Sequence, residues 1–162
     1  KRYALEHTIP VRQPVKKKDE SFIEQLCSFN ADIQAVVAFR MLPEVVWGMP
    51  RFGTFNVHAA LLPQYRGAAP INWAVINGET QTGVTTFFLD KDIDTGRIID
   101  KKTFDIPDDA DVEYVYDGLM RLGAQLCKET IDKVIECDGD VPSVAQEDND
   151  CLKSAPKIFK ET

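Results

Sequence analysis

The sequence has no apolar run approaching the roughly 18 residues needed to cross a bilayer, and no segment patterned like a secretory leader. No membrane partner is expected. Cysteine is sparse: Cys27, Cys127, Cys137 and Cys151 lie far apart, with no C-x-x-C pair and no metal-ligand spacing. The expectation is reduced thiols, a cytoplasmic protein and no metal site. Positive charge is short as well, at a formal net charge of -7. That balance argues against a general nucleic-acid face, which is normally basic, while leaving room for a local basic patch. There is no internal repeat and no low-complexity tract.

What is present suits one globular domain: 162 residues, 44% of them hydrophobic. Arg2 to His7 reads as a short helix and Lys16-Lys17-Lys18 as a solvated helix approach. Asp19 or Ser21 can cap a helix bearing Phe22, Ile23, Leu26 and Phe29. Ile33 to Phe39 is continuously apolar near its end, the pattern of a parallel strand buried on both faces. Pro43 opens a short helix through Trp47, and Thr54 to His58 reads as a strand. Pro70 suits the first position of a helix that Gly78 stops. Strands are expected over Thr82–Leu89 and Arg97–Phe104, a long helix over Asp111–Cys137, and a short strand over Val141–Gln146. Gly118 and Gly123 interrupt the long helix and suggest close packing or a bend. The alternation predicts an α/β fold with a mainly parallel sheet flanked by helices.

Asn56-Val57-His58 ends the second strand, and period-two alternation sends Asn56 and His58 to one face. In α/β sheets ligands bind outside the carboxyl ends of strands. An imidazole can move a proton near neutral pH. A neutral amide can hold an oxygen that gains negative charge. The later turn Asp92-Ile93-Asp94-Thr95-Gly96 can bring a carboxylate to the imidazole. No Ser or Cys stands beside His58 in the strand, so direct acyl transfer to an amine fits better than a covalent acyl-enzyme. The residues alone equally allow a hydrogen-bonded structural histidine, a turn-capping Asn56 and an ordinary Asp-Thr-Gly turn.

Asn56-Val57-His58, Leu61-Leu62-Pro63, Tyr65-Arg66-Gly67, Ala69-Pro70 and Asp94-Thr95-Gly96, in that order, resemble the 10-formyltetrahydrofolate-dependent formyltransferase family. The resemblance is strongest over residues 33–106. It implies a Rossmann-like α/β domain with catalytic Asn56, His58 and Asp94. It further implies a folate pocket walled by Arg40, Met41 and Leu42 and by the Asp90–Asp94 turn, including Asp92. Leu62, Pro63, Arg66 and Gly67 fall in the family's substrate loop. The implied formyl donor is 10-formyltetrahydrofolate, with no metal. Arg66 to Ile71 and Ala155-Pro156-Lys157-Ile158 are most similar to the branch that formylates the methionyl amine of initiator methionyl-tRNA. Amino-sugar nucleotide N-formyltransferases share Arg66 to Trp73 and are the close alternative; a noncatalytic folate-binding or formylfolate-hydrolysing module is the alternative of another class.

One departure is Ala59-Ala60 after the histidine, where the family often carries Gly-Ser or Ala-Ser, so a hydroxyl is missing there. The family's first strand and glycine-containing loop are expected before Lys1, and a basic tRNA-binding domain after Thr162. On this reading residues 1–154 are a partial catalytic domain and 155–162 begin a linker. Contact with tRNA would come mostly through the absent regions, which would account for an acidic remainder. A monomer is expected.

Overall fold

The computed structural model describes residues 1–38 and 41–159. The chain runs α1 (Arg2–Glu6), α2 (Glu20–Ser28), β1 (Gln34–Val37), α3 (Glu44–Trp47), β2 (Thr54–His58), β3 (Arg66–Gly67), α4 (Pro70–Ile76), β4 (Gln81–Phe88), β5 (Ile98–Asp105), α5 (Val112–Glu136) and β6 (Ser154–Ala155). The main sheet has the order β1-β2-β4-β5, and β3 pairs with β6 in a second, two-stranded sheet.

β1 and β2 are parallel, whereas β2–β4 and β4–β5 are antiparallel. Three of the four strands thus run one way and β4 runs against them. The physical reason is the short β4–β5 connection. A parallel return needs a crossover of a dozen or more residues, usually a helix. β1 also departs from the expectation of burial on both faces. Val36 is buried, while Ala35 and Val37 on its other face are exposed. Val141–Gln146 forms no named strand; within it Val144 makes one antiparallel bridge to Ile98.

One face of the sheet is covered by α5. Its N-cap Asp111 accepts a hydrogen bond from the Tyr114 amide, satisfying one of the helix's orphan donors. Val115, Leu119, Gly123, Leu126, Thr130 and Val134 recur at three- and four-residue spacing and are buried. Both helix glycines serve close packing. A Cβ on Gly118 would lie 2.2 Å from the Phe104 ring, and one on Gly123 would lie 3.4 Å from Val57. Ala74 of α4 and Val84 of β4 join this core.

The opposite face carries Leu62, Phe87 and Ile98 and is covered by loop rather than helix. Period-two alternation puts Asn56 and His58 on this face, across from Phe87 and Thr85. The β3–β6 pair pins the loop that follows β2. The Ala68 and Ala69 amides both donate to the Ala155 carbonyl, at 2.7 and 3.1 Å. Ala155 is fully buried with Ala60 and Tyr65, and Trp73 Nε1 donates to the Pro156 carbonyl at 2.8 Å. Ala155 and Pro156 thus pack against the loop that follows β2.

Candidate active site

Asn56 and His58 are each 7% exposed. They stand where β2 gives way to the loop through the Leu62–Pro63 peptide, which is cis. Leu62 is held at both of its backbone polar groups. Its amide donates to Thr85 Oγ1 at 3.1 Å, and its carbonyl accepts from Lys101 Nζ. Thr85 Oγ1 in turn donates to the Ala60 carbonyl at 2.7 Å. A buried β4 threonine thus stitches the loop to the sheet beside the site.

His58 is held by main chain. Its Nε2 lies 2.9 Å from the Tyr65 carbonyl oxygen. A carbonyl only accepts, so Nε2 carries the proton. Nδ1 is the nitrogen without one. Nδ1 faces Asp94 Oδ2 at 3.9 Å, with the two side chains 7% and 12% exposed. Phe87 meets the imidazole edge-on, with ring centroids 6.4 Å apart.

Asp94 reaches His58 because the β4–β5 connection doubles back over the sheet face. Phe88, at the end of β4, pairs with Phe55 at the far end of β2 from His58. Asp94 itself is left-handed, at φ 56°, a conformation few residues other than Gly, Asn and Asp adopt. Its Oδ2 accepts the Gly67 amide at 3.0 Å. Gly67 is required there on two counts: its φ is +129°, and a Cβ would lie 2.4 Å from the Ala155 carbonyl oxygen.

Asn56 presents the opposite situation. Its Oδ1 is buried with no hydrogen-bond partner among the described residues. Leaving such a group unpaired costs about 1–3 kcal/mol. The amide carries both an acceptor and donors, so it can serve a bound carbonyl or a bound amine.

The other expected positions divide. Arg40 lies outside the described residues. Met41 and Leu42, with Pro43, line an open cavity of about 480 Å³ together with Lys16, Lys17 and Lys18. The three lysines, read from sequence as a solvated approach, therefore flank one wall of the expected folate pocket. Asp90 and Asp92 are exposed. Asp90 Oδ1 accepts from the Asp92 amide at 3.1 Å and from Thr95 Oγ1 at 3.0 Å, bonds that shape the turn. Pro63 is half-buried. Arg66 is already engaged, with Nη1 on Asp148 at 2.5 Å and Nε and Nη2 on Gln146 at 3.1 and 2.9 Å. Among the described residues no group of three or more His, Cys, Asp or Glu is arranged to hold a metal ion. No helix among them is long and apolar enough to cross a membrane.

Two contributors were not visible in sequence. Gln146 braces the Asp94 turn and is treated below. Tyr65, also left-handed at φ 59°, supplies the carbonyl that holds His58. Its phenol donates to Glu79 at 2.5 Å and accepts from Asn77 Nδ2 at 3.0 Å. Burial pushes that phenol above its usual 10.0, and the Glu79 hydrogen bond acts the same way. Hydrogen bonds from Lys153 and then from Tyr65 hold the Glu79 carboxyl below its usual 4.5. A depressed carboxyl stabilises the fold above its unfolded value and loses that contribution as pH falls through the folded one. Glu79→Gln is therefore expected to lower the melting temperature at neutral pH, with a deficit that shrinks below 4.5. Thermal melts across pH check it; a deficit unchanged in acid would refute the ionic account.

The α/β sheet, the buried amide, the imidazole of set tautomer and the facing carboxylate define a frame suited to group transfer. The family model described as "Formyl transferase" matches residues 2–131, and the chain belongs to that family. It is similar to methionyl-tRNA formyltransferases. The protein of Bacteroides fragilis is 60% identical over 165 residues, covering 100% of this chain and 50% of that one. The Parabacteroides distasonis protein is 60% identical over 166 residues, covering 100% and 51%. The chain thus spans about half the length of these curated relatives. Among solved structures, phosphoribosylglycinamide formyltransferase from Bacillus halodurans aligns with a TM-score of 0.74 at 23% identity, over 83% of this chain and 73% of that one. HypX from Aquifex aeolicus, in complex with tetrahydrofolic acid, aligns at 0.72 and 22%, over 86% and 23%. These likenesses place the fold as Rossmann-like, of the formyltransferase type.

Proposed function

We propose that the protein transfers a formyl group from 10-formyltetrahydrofolate to the methionyl amine of initiator methionyl-tRNA. The observation that carries the chemistry is an Asn56 whose side-chain oxygen is buried without a partner, on one face with a His58 whose free nitrogen faces Asp94. The acceptor is supported by 60% identity to methionyl-tRNA formyltransferases across the whole chain. The donor is supported by the tetrahydrofolate held by a neighbour in fold.

The amine nitrogen attacks the formyl carbon, and the carbonyl oxygen becomes an oxyanion. The Asn56 amide, with its N–H2 turned inward, donates to that oxygen. Oxygen and nitrogen of an amide exchange places by a half-turn. His58 Nδ1 takes the proton the amine sheds, and Asp94 stabilises the imidazolium that results. The bond from the formyl carbon to N10 of the folate then breaks, and N10 receives a proton. Water beside Asp94 can relay it. The cavity along Met41 and Leu42 would take the folate; its lining among the described residues is Lys16 to Lys18 and Met41 to Pro43, and the Asp90–Asp94 turn is not part of it. No step calls for a metal. The reading includes a monomeric, cytoplasmic protein in which residues 1–154 supply the catalytic part and tRNA is met mainly by parts beyond this chain.

The test is a parallel assay of the full-length protein with labelled formyl donor. It is offered methionyl initiator tRNA, a 4-amino-sugar nucleotide and glycinamide ribonucleotide. Label is expected on the tRNA. Label on a small acceptor would overturn the substrate, and release of formate with no acceptor would favour a hydrolase.

A further inference from the structure

We infer that Gln146 is the positioning residue that sets the Asp94 carboxylate against His58. The inference rests on the proposed role of Asp94 and adds what holds it there.

Gln146 uses its whole hydrogen-bonding capacity on the site. Its Nε2 donates to the Asp94 carbonyl at 2.9 Å and to the Gly96 carbonyl at 2.8 Å. Its Oε1 accepts from Arg66 Nε at 3.1 Å and Nη2 at 2.9 Å. Two donors and two acceptor sites are all that a glutamine side chain has. One amide therefore bridges the two loops that meet at Asp94. The Arg66 side leads through Gly67, whose amide binds the carboxylate itself at 3.0 Å. The other side is the turn that carries Asp94, itself left-handed at φ 56°.

The chemistry at this position is narrow. A glutamate could still accept from Arg66 but could not donate to two carbonyl oxygens. A lysine could donate but would set a second cation against Arg66. Methionine keeps the length and loses every bond. The segment does not need Gln146 to stay in place. Arg97 Nε donates to Ser143 Oγ at 2.9 Å, and Val144 and Ile98 exchange two backbone hydrogen bonds at 2.8 Å. Loss of the amide should therefore loosen the Asp94 turn and leave the fold standing.

The test is a double-mutant cycle in the full-length protein, with kcat and KM for the formyl donor measured for Gln146→Met, Gln146→Glu, Asp94→Asn and the Asp94→Asn/Gln146→Met pair. A small misplacement of a working group costs up to about 100-fold, so both Gln146 variants should lose about 10- to 100-fold in kcat. KM should change by less than about threefold, the pattern of an interaction that matters in the transition state. Melting temperatures should stay close to the parent's. On top of Asp94→Asn, Gln146→Met should cost less than about threefold more, because the two act through one carboxylate. Additive losses, a Gln146→Glu enzyme with full kcat, or failure of both Gln146 variants to fold would each overturn the inference. An Asp94→Asn enzyme with full activity would instead overturn the reading of Asp94, and the inference with it.

Discussion

Asn56→Ala in the full-length protein should lower formyl transfer by about two or more powers of ten, the scale of a lost oxyanion donor, while the melting temperature holds or rises. The two halves of this result come from one fact. The Asn56 side-chain oxygen is buried with no protein partner among the described residues, so the fold bears a cost that a bound group can relieve. Removing the amide removes the cost together with the function, the usual relation between stability and activity at a prepared site. His58→Ala should lose as much activity but also some stability, because the Tyr65 carbonyl at 2.9 Å then loses its donor. Initial rates and thermal melts of both variants, side by side, make the comparison. A loss below tenfold in both would end the catalytic assignment. A large drop in melting temperature with activity intact for Asn56→Ala would make Asn56 a structural residue.

Gly96→Ala should be the most damaging single methyl group in the site. A Cβ at Gly96 would sit 1.7 Å from the Phe88 carbonyl oxygen and 2.8 Å from its carbon. Both are backbone atoms of β4, so neither can swing aside. Overpacking costs about 1–3 kcal/mol and occasionally more, and contact with backbone puts this site at the upper end. The Gly96 carbonyl also shares Gln146 with Asp94, so the displaced turn should take the carboxylate with it. Gly78→Ala is the contrasting control. Gly78, unlike Gly96, has a positive φ, 64°, and nothing lies within 4 Å of its added carbon. There only the left-handed penalty applies, about 1–2 kcal/mol. Denaturant melts of the two variants test the contrast. Equal losses would mean that contact with Phe88 is not what fixes glycine at position 96.

Local patterns were legible where local physics decides them. The helix opened by Pro70 and the long helix capped by Asp111 follow from caps and from apolar spacing. The shared face of Asn56 and His58 follows from strand alternation alone. Strand direction was less legible, because the path of the β4–β5 connection depends on what it packs against. β1 shows the same limit: an apolar run gives propensity, while cover on each face depends on neighbours far along the chain. At the site, Asp94 could be named from its turn but its approach to His58 could not. Arg66 could be placed in the substrate loop, but its engagement with Gln146 and Asp148 joins residues about 80 positions apart.

The sequence by itself determined the element types, the common face of Asn56 and His58, and the ordered set of residues that marks the family, since each is set by neighbours a few positions away. Only the tertiary structure decided which imidazole nitrogen is free, which carboxylate faces it and which amide braces that carboxylate. Those depend on the Tyr65 carbonyl, the doubled-back Asp94 turn and Gln146, groups that no local pattern links and that meet only when the sheet and its loops close.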